Sequence, residues 1–182
     1  MTTDDMPEVT VDITNEAVSL PMTFEELSDV VKDVFKPQSK YDIDTNFNFN
    51  DEYVAIHVRR GDKITGEWAE GLKHELSEYF SKISGRYEKR QAFVITDSPE
   101  VSKEAKEEGY LVDDTEGRRE SYSYILSESD SWTDKEKEDE AFVFFKNMKL
   151  FAHAKQLVGS NNSNYYMLGQ LLHGEQGISL SE

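Results

Sequence analysis

Two adjacent guanidinium side chains, Arg59 and Arg60, are followed closely by an acid and an amine, Asp62 and Lys63, in the stretch AIHVRRGDK. Arginine forks take phosphate or carboxylate oxygens two at a time and an ammonium adds a point charge, so the grouping suits a diphosphate, with Asp62 placed to orient one guanidinium. Asp97 follows the apolar run AFVIT. A carboxylate only accepts hydrogen bonds, which suits ribose hydroxyls or the N–H edge of a base. Ser163 and Asn164 stand where NNSN leads into a helical pattern. There a hydroxyl and an amide would join the backbone N–H groups that already favour phosphate at a helix N-terminus. Together these groups describe a site for a nucleoside diphosphate rather than for a bare anion.

Each group also has a plainer use. Arginines at a strand end commonly serve as ion-pair partners for surface acids, which this chain has in plenty. His57 on an apolar run is ordinarily a satisfied core residue, and His74, His153 and His173 are too scattered to suggest a metal site. Asp97 before Ser-Pro also reads as a loop acid leading into a helix cap. The tripeptide Arg60-Gly61-Asp62 and the sequon at Asn161 are too short to carry meaning alone. The functional reading rests on joint placement, and placement is the work of the secondary-structure elements.

The chain has 182 residues, enough for one domain with a proper core. It carries 20 Lys and Arg against 37 Asp and Glu, a formal net charge of -17, which argues against a nucleic-acid partner because that affinity needs a broad basic surface. With no cysteine, disulfides and thiolate chemistry are excluded. The N-terminus shows neither a basic nor an apolar leader region and no run approaches ~20 apolar residues, so the expectation is a cytoplasmic protein without a membrane span.

Residues 1–22 read as an acidic extension in which VTVDI could form an edge strand, and residues 23–182 as one nucleotide-binding α/β domain. Thr23 and Glu26 make a capping box for a helix that Pro37 ends. YVAIHV and AFVIT are apolar enough for strands buried on both faces. Between them Leu72, Leu76, Tyr79, Phe80, Ile83 and Tyr87 recur at helical spacing. Ser98 and Pro99 open a third helix through Lys106, and YLV at 110–112 is a third strand. Residues 113–133 read as an insertion or flexible loop. Thr133 and Glu136 cap a helix with Ala141, Phe145, Met148 and Phe151 on its core stripe; QLVGS is a fourth strand, and Tyr165 to His173 a last helix closed by Gly174. Alternating strand and helix imply a Rossmann-like parallel sheet with helices on both faces, whose ligands sit beyond the carboxyl ends of the strands. His57 to Lys63, Asp97 and Ser160 to Asn164 all fall at such ends.

On these residues the chain resembles the α-1,6-fucosyltransferase family. HVRRGDK followed by Glu67 is similar to the family's donor-binding segment; VVKDVFKPQ, FVITDSPEVSKEAK and NMKLFAHAKQLVGSNNSNYYMLGQLLHG resemble three further blocks, in the family's order, over about residues 28 to 175. The resemblance implies the C-terminal, donor-binding half of a GT-B glycosyltransferase that moves fucose from GDP-fucose to a hydroxyl with inversion. It implies no metal and no cofactor beyond the GDP-sugar donor. The acceptor would be a glycan, a protein or a small sugar, and a partner domain could complete the acceptor side. By position, His57 would contact guanine, Arg59 and Arg60 the diphosphate, and Asp62 and Lys63 the sugar end, while Ser163 and Asn164 support phosphates or fucose. Glu67 would be the general base, with Arg59 and Lys63 beside it in the catalytic group. The chain departs from the family pattern at Asn147, where the family carries an acid facing the base, and at Asp97-Ser98, where it carries two acids. The alternative reading is a GDP-sugar-binding module without turnover, or one domain of a longer transferase.

Overall fold

The structure is a computed structural model that describes residues 9–12, 17–20, 22–36, 52–60, 73–83, 85–112, 132–160 and 163–180. Its centre is a five-stranded, all-parallel sheet in the order β5-β4-β3-β6-β7, built from β3 (Val54–Val58), β4 (Ala92–Thr96), β5 (Leu111–Val112), β6 (Gln156–Gly159) and β7 (Ile178–Ser179). β1 (Val9–Asp12) and β2 (Ala17–Leu20) form a separate antiparallel pair, so VTVD is a strand but does not join the main sheet.

The order of strands explains where the helices go. From β3 the chain steps outward through α2 (Leu76–Ser81) to β4 and through α3 (Pro99–Glu107) to β5. It then returns across the sheet through α4 (Asp134–His153) to β6 and through α5 (Asn164–His173) to β7. Parallel crossovers are right-handed, so reversing the direction of travel moves the connecting helices to the other face. The core splits accordingly. Val54, Ile56 and Val58 face Leu76, Tyr79, Ile83, Val101 and Ala105, while Tyr53 and Ala55 face Met148, Leu150, Phe151 and Tyr166. Both faces are covered, and for that reason β3 and β4 are buried at every position and read as unbroken apolar runs. α1 (Phe24–Val34) lies on α5, with the Ser28 hydroxyl donating to the Leu171 carbonyl at 2.7 Å and Phe35 meeting Phe144 and Phe145.

The expected caps are present: Thr23 with Glu26, Ser98 ahead of Pro99, Thr133 with Glu136, and Gly174 closing α5. The helix expected from Leu72 to Tyr87 is much shorter. Leu72 lies outside the described residues, and α2 ends at Ser81 before a turn through Gly85 at φ +97°, a conformation that glycine adopts without steric cost. Ile83 is buried and Tyr87 packs on the core, but from the turn rather than from a helix. β7 was not anticipated; two residues without strong alternation leave no readable period.

Candidate functional site

β3 starts the sheet in its middle, and its neighbours β4 and β6 are reached by connections that leave in opposite directions. The loops at the carboxyl ends of β3 and β6 therefore part, which makes this the switch point at which open α/β sheets take ligands. Arg59 and Arg60 follow β3, Asp97 follows β4, and Ser163 follows β6.

Asp97 ties the first two loops together. Its Oδ2 meets Arg59 Nη1 at 2.9 Å, and its Oδ1 accepts the backbone N–H of Arg60 at 2.8 Å. Both side chains are largely buried, at 12% and 13% exposure, so solvent screens the pair little. Within the described residues Asp97 is the acid that orients Arg59, through an ion pair at one oxygen and a hydrogen bond at the other.

Arg60 is turned inward. It is 8% exposed, donates through Nη2 to the carbonyl of His74, and leaves Nη1 buried with no hydrogen-bond partner among the described residues. His74 is in turn held by Glu78, its Nδ1 3.0 Å from Oε2. A buried guanidinium nitrogen without an acceptor is costly, and an oxyanion would relieve it.

His57 sits at the penultimate position of β3, on the face covered by α4 and α5. Its ring lies nearly parallel to those of Tyr165 and Tyr166, with centroids 5.5 and 5.8 Å away, and edge-on to Phe151. Burial, with the Arg59 guanidinium nearby, pushes its pKa down to about 3, so the imidazole is neutral at neutral pH. At 3% exposure it is a core side chain, yet its Nδ1 has no hydrogen-bond partner among the described residues. Asn147, four residues before Phe151 and three after Phe144 on α4, is 4% exposed and leaves Oδ1 unpartnered. Phe144 and Phe151 both meet Tyr165 edge-on, so His57 and Asn147 belong to one aromatic layer at the α4–α5 side of the sheet.

Ser163 is the N-cap of α5. Its hydroxyl oxygen accepts the Tyr166 N–H at 3.4 Å, and the side chain is buried. Its oxygen is therefore engaged in holding the helix end, which leaves the O–H as the group able to donate. Asn164, the first helical residue, is exposed. Asp62, Lys63 and Glu67 lie outside the described residues.

Sequence reasoning passed over Tyr165 and Tyr166, which stack on His57, and the glycines that admit them. A Cβ at Gly159 would stand 2.7 Å from the Tyr166 ring, and one at Gly177 would collide with its hydroxyl, which donates to the Ile178 carbonyl. The available signal was a glycine closing β6 followed by paired tyrosines in the next helix. Among the described residues no group of three or more His, Cys or carboxylate side chains is placed to hold a metal ion, and no helix is long and apolar enough to cross a membrane. Neither the family models nor the curated proteins compared with this chain match it.

Proposed function

We propose that the chain binds a GDP-sugar at the carboxyl ends of β3, β4 and β6 and transfers fucose from it to a hydroxyl acceptor with inversion. The observation that supports this reading is the arginine pair at the switch point: Arg59 is held by Asp97, and Arg60 Nη1 is buried without an acceptor. Such a pair is preorganised for the charge that grows on a departing diphosphate, the largest electrostatic demand of the reaction. The unpartnered His57 Nδ1, which donates or accepts according to its tautomer, and the accepting Asn147 Oδ1 suit the hydrogen-bonding edge of a base.

In the transfer, the acceptor oxygen attacks the anomeric carbon of fucose from the face opposite GDP. As that bond forms, the bond from carbon to the β-phosphate oxygen breaks and its electron pair stays on the phosphate, beside Arg59 and Arg60. Glu67 takes the acceptor's proton, assistance typically worth ~10²–10⁴-fold. Lys63 supports the sugar end. The whole scheme uses protein groups and the donor alone.

Calorimetric titration of GDP, GDP-fucose, UDP and ADP tests the ligand. Saturable GDP binding that Arg59→Ala abolishes is expected; no binding of GDP at roughly millimolar concentration overturns the reading. Donor hydrolysis or transfer to a glycan panel, lost in Glu67→Gln while GDP still binds, separates an enzyme from a GDP-sugar-binding module or a transferase half.

A further inference from the structure

The opposite end of the sheet carries a concavity. Lys82, Ile83, Arg86, Gln156 and Ile178 line a cavity of about 220 Å³. Gln156 opens β6 and Ile178 opens β7, while Lys82 to Arg86 belong to the connection that descends from α2 before the chain enters β4. All five therefore sit at the amino ends of the strands. β6 alone puts roughly 10 Å between this end and the one that carries the Arg59–Asp97 pair.

The cations at this cavity differ from those on the elements beside it. Lys89, Arg90 and Lys103, on neighbouring elements, each have a carboxylate partner, Glu108, Glu88 and Glu107 respectively. Among the described residues neither Lys82 nor Arg86 has one. Lys82 is the C-cap of α2, where the helix dipole favours a cation, but Arg86 has no such reason to be there. Two cations and an amide thus face a shared space whose apolar lining is Ile83, itself buried, and the half-buried Ile178.

From this geometry we infer that the amino-terminal end of the sheet is a binding site for a small organic oxyanion, a phosphate ester or carboxylate with a short carbon chain. Arg86 takes two oxygens through its fork, Lys82 adds a point charge, the Gln156 amide donates a third hydrogen bond, and the carbon chain lies on Ile83 and Ile178. A cavity of about 220 Å³ has room for such a molecule, and it lies at the end of the sheet away from the Arg59–Asp97 pair. The site is thus separate from the GDP-sugar reading in both place and ligand.

The test is a titration of the full chain, followed by amide chemical shifts at constant ionic strength, with inorganic phosphate, propyl phosphate and butyrate as probes. Saturable shifts are expected at Ile83, Arg86, Gln156 and Ile178, with a dissociation constant in the roughly millimolar range. Propyl phosphate should bind more tightly than inorganic phosphate, by up to about fourfold per buried methylene. Butyrate against propyl phosphate decides between carboxylate and phosphate. The Lys82→Gln, Arg86→Gln double variant changes two exposed side chains, should keep its melting temperature, and should bind at least about tenfold more weakly. Absence of saturable shifts at these amides with all three probes overturns the proposal, as does binding that the double variant retains. Shifts confined to Arg59, Arg60 and Asp97 also overturn it, since they report the other end of the sheet.

Discussion

Replacing Asp97 by alanine removes two interactions at once. One is the ion pair with Arg59 at 2.9 Å, and the other is the charge-assisted bond from the Arg60 backbone N–H at 2.8 Å. Because the two side chains are only 12% and 13% exposed, the loss strands a guanidinium that solvent reaches poorly. Breaking a fully buried pair costs about 3–5 kcal/mol, and a hydrogen bond to a charged group contributes about 1.5–3 kcal/mol. The residual exposure lets Arg59 swing partly outward, so the expected total for Asp97→Ala is about 3 kcal/mol. For a domain of this size that lowers the melting temperature by roughly 6–12 °C. Asp97→Asn keeps the oxygen that accepts from Arg60 and loses only the charge, so it should cost about half as much. The assay is denaturant unfolding of wild type, Asp97→Ala, Arg59→Ala and the double variant, read as a cycle, with a coupling of about 1.5–3 kcal/mol expected between the two side chains. GDP affinity, measured on Asp97→Ala and Asp97→Asn, should fall further in the first, because alanine also releases the Arg60 backbone N–H and so loosens the clamp. A coupling near zero, or a melting temperature within roughly 2 °C of wild type for Asp97→Ala, would refute the claim that this acid pins the arginines.

Two further outcomes follow from the aromatic layer. In the unfolded chain His57 takes up a proton as the pH falls through about 6.5, whereas the buried ring stays neutral down to about 3. The unfolded state then holds more protons across that window, so stability should decline with falling pH by up to about 1.4 kcal/mol per unit, and His57 contributes no slope above the window. Unfolding free energies of His57→Phe at pH 7, 6 and 5 should lack this part of the slope; equal slopes in the two proteins would show that the imidazole is not held neutral. Gly159→Ala places a methyl group 2.7 Å from the Tyr166 ring and should destabilise by about 1–3 kcal/mol in urea, with Tyr166 displaced from His57 in aromatic proton shifts. An unchanged midpoint would mean that the ring moves aside without cost.

Much of the scaffold was legible because its signals are local. The capping boxes at Thr23 and Thr133, the Ser98-Pro99 start and the apolar runs of β3 and β4 each depend on a few neighbouring residues. The readings failed where local pattern and backbone conformation disagree. Leu76, Tyr79, Phe80, Ile83 and Tyr87 keep helical spacing, yet Gly85 turns the chain after Ser81, so one periodic stripe serves a helix and then a turn. At the site, the positions of Arg59, Asp97 and Ser163 at strand ends followed from strand assignment alone. Their partners did not: no local run of residues shows that Asp97 meets Arg59 and the Arg60 backbone across two strands.

The sequence by itself determined which residues lie at the carboxyl ends of a buried parallel sheet, because continuous apolar runs and alternating helices specify both the strands and their direction. Only the tertiary structure decided what those residues touch. Strand order places β6 rather than β5 beside β3, and that brings α5 with Tyr165 and Tyr166 against His57, a contact over more than 100 positions of chain. The same order sets Asp97 next to Arg59 and leaves Lys82 and Arg86 at the far end without an acid partner among the described residues. Side-chain pairing between elements depends on which elements become neighbours, and that choice is made by packing of the whole core rather than by any local run of residues.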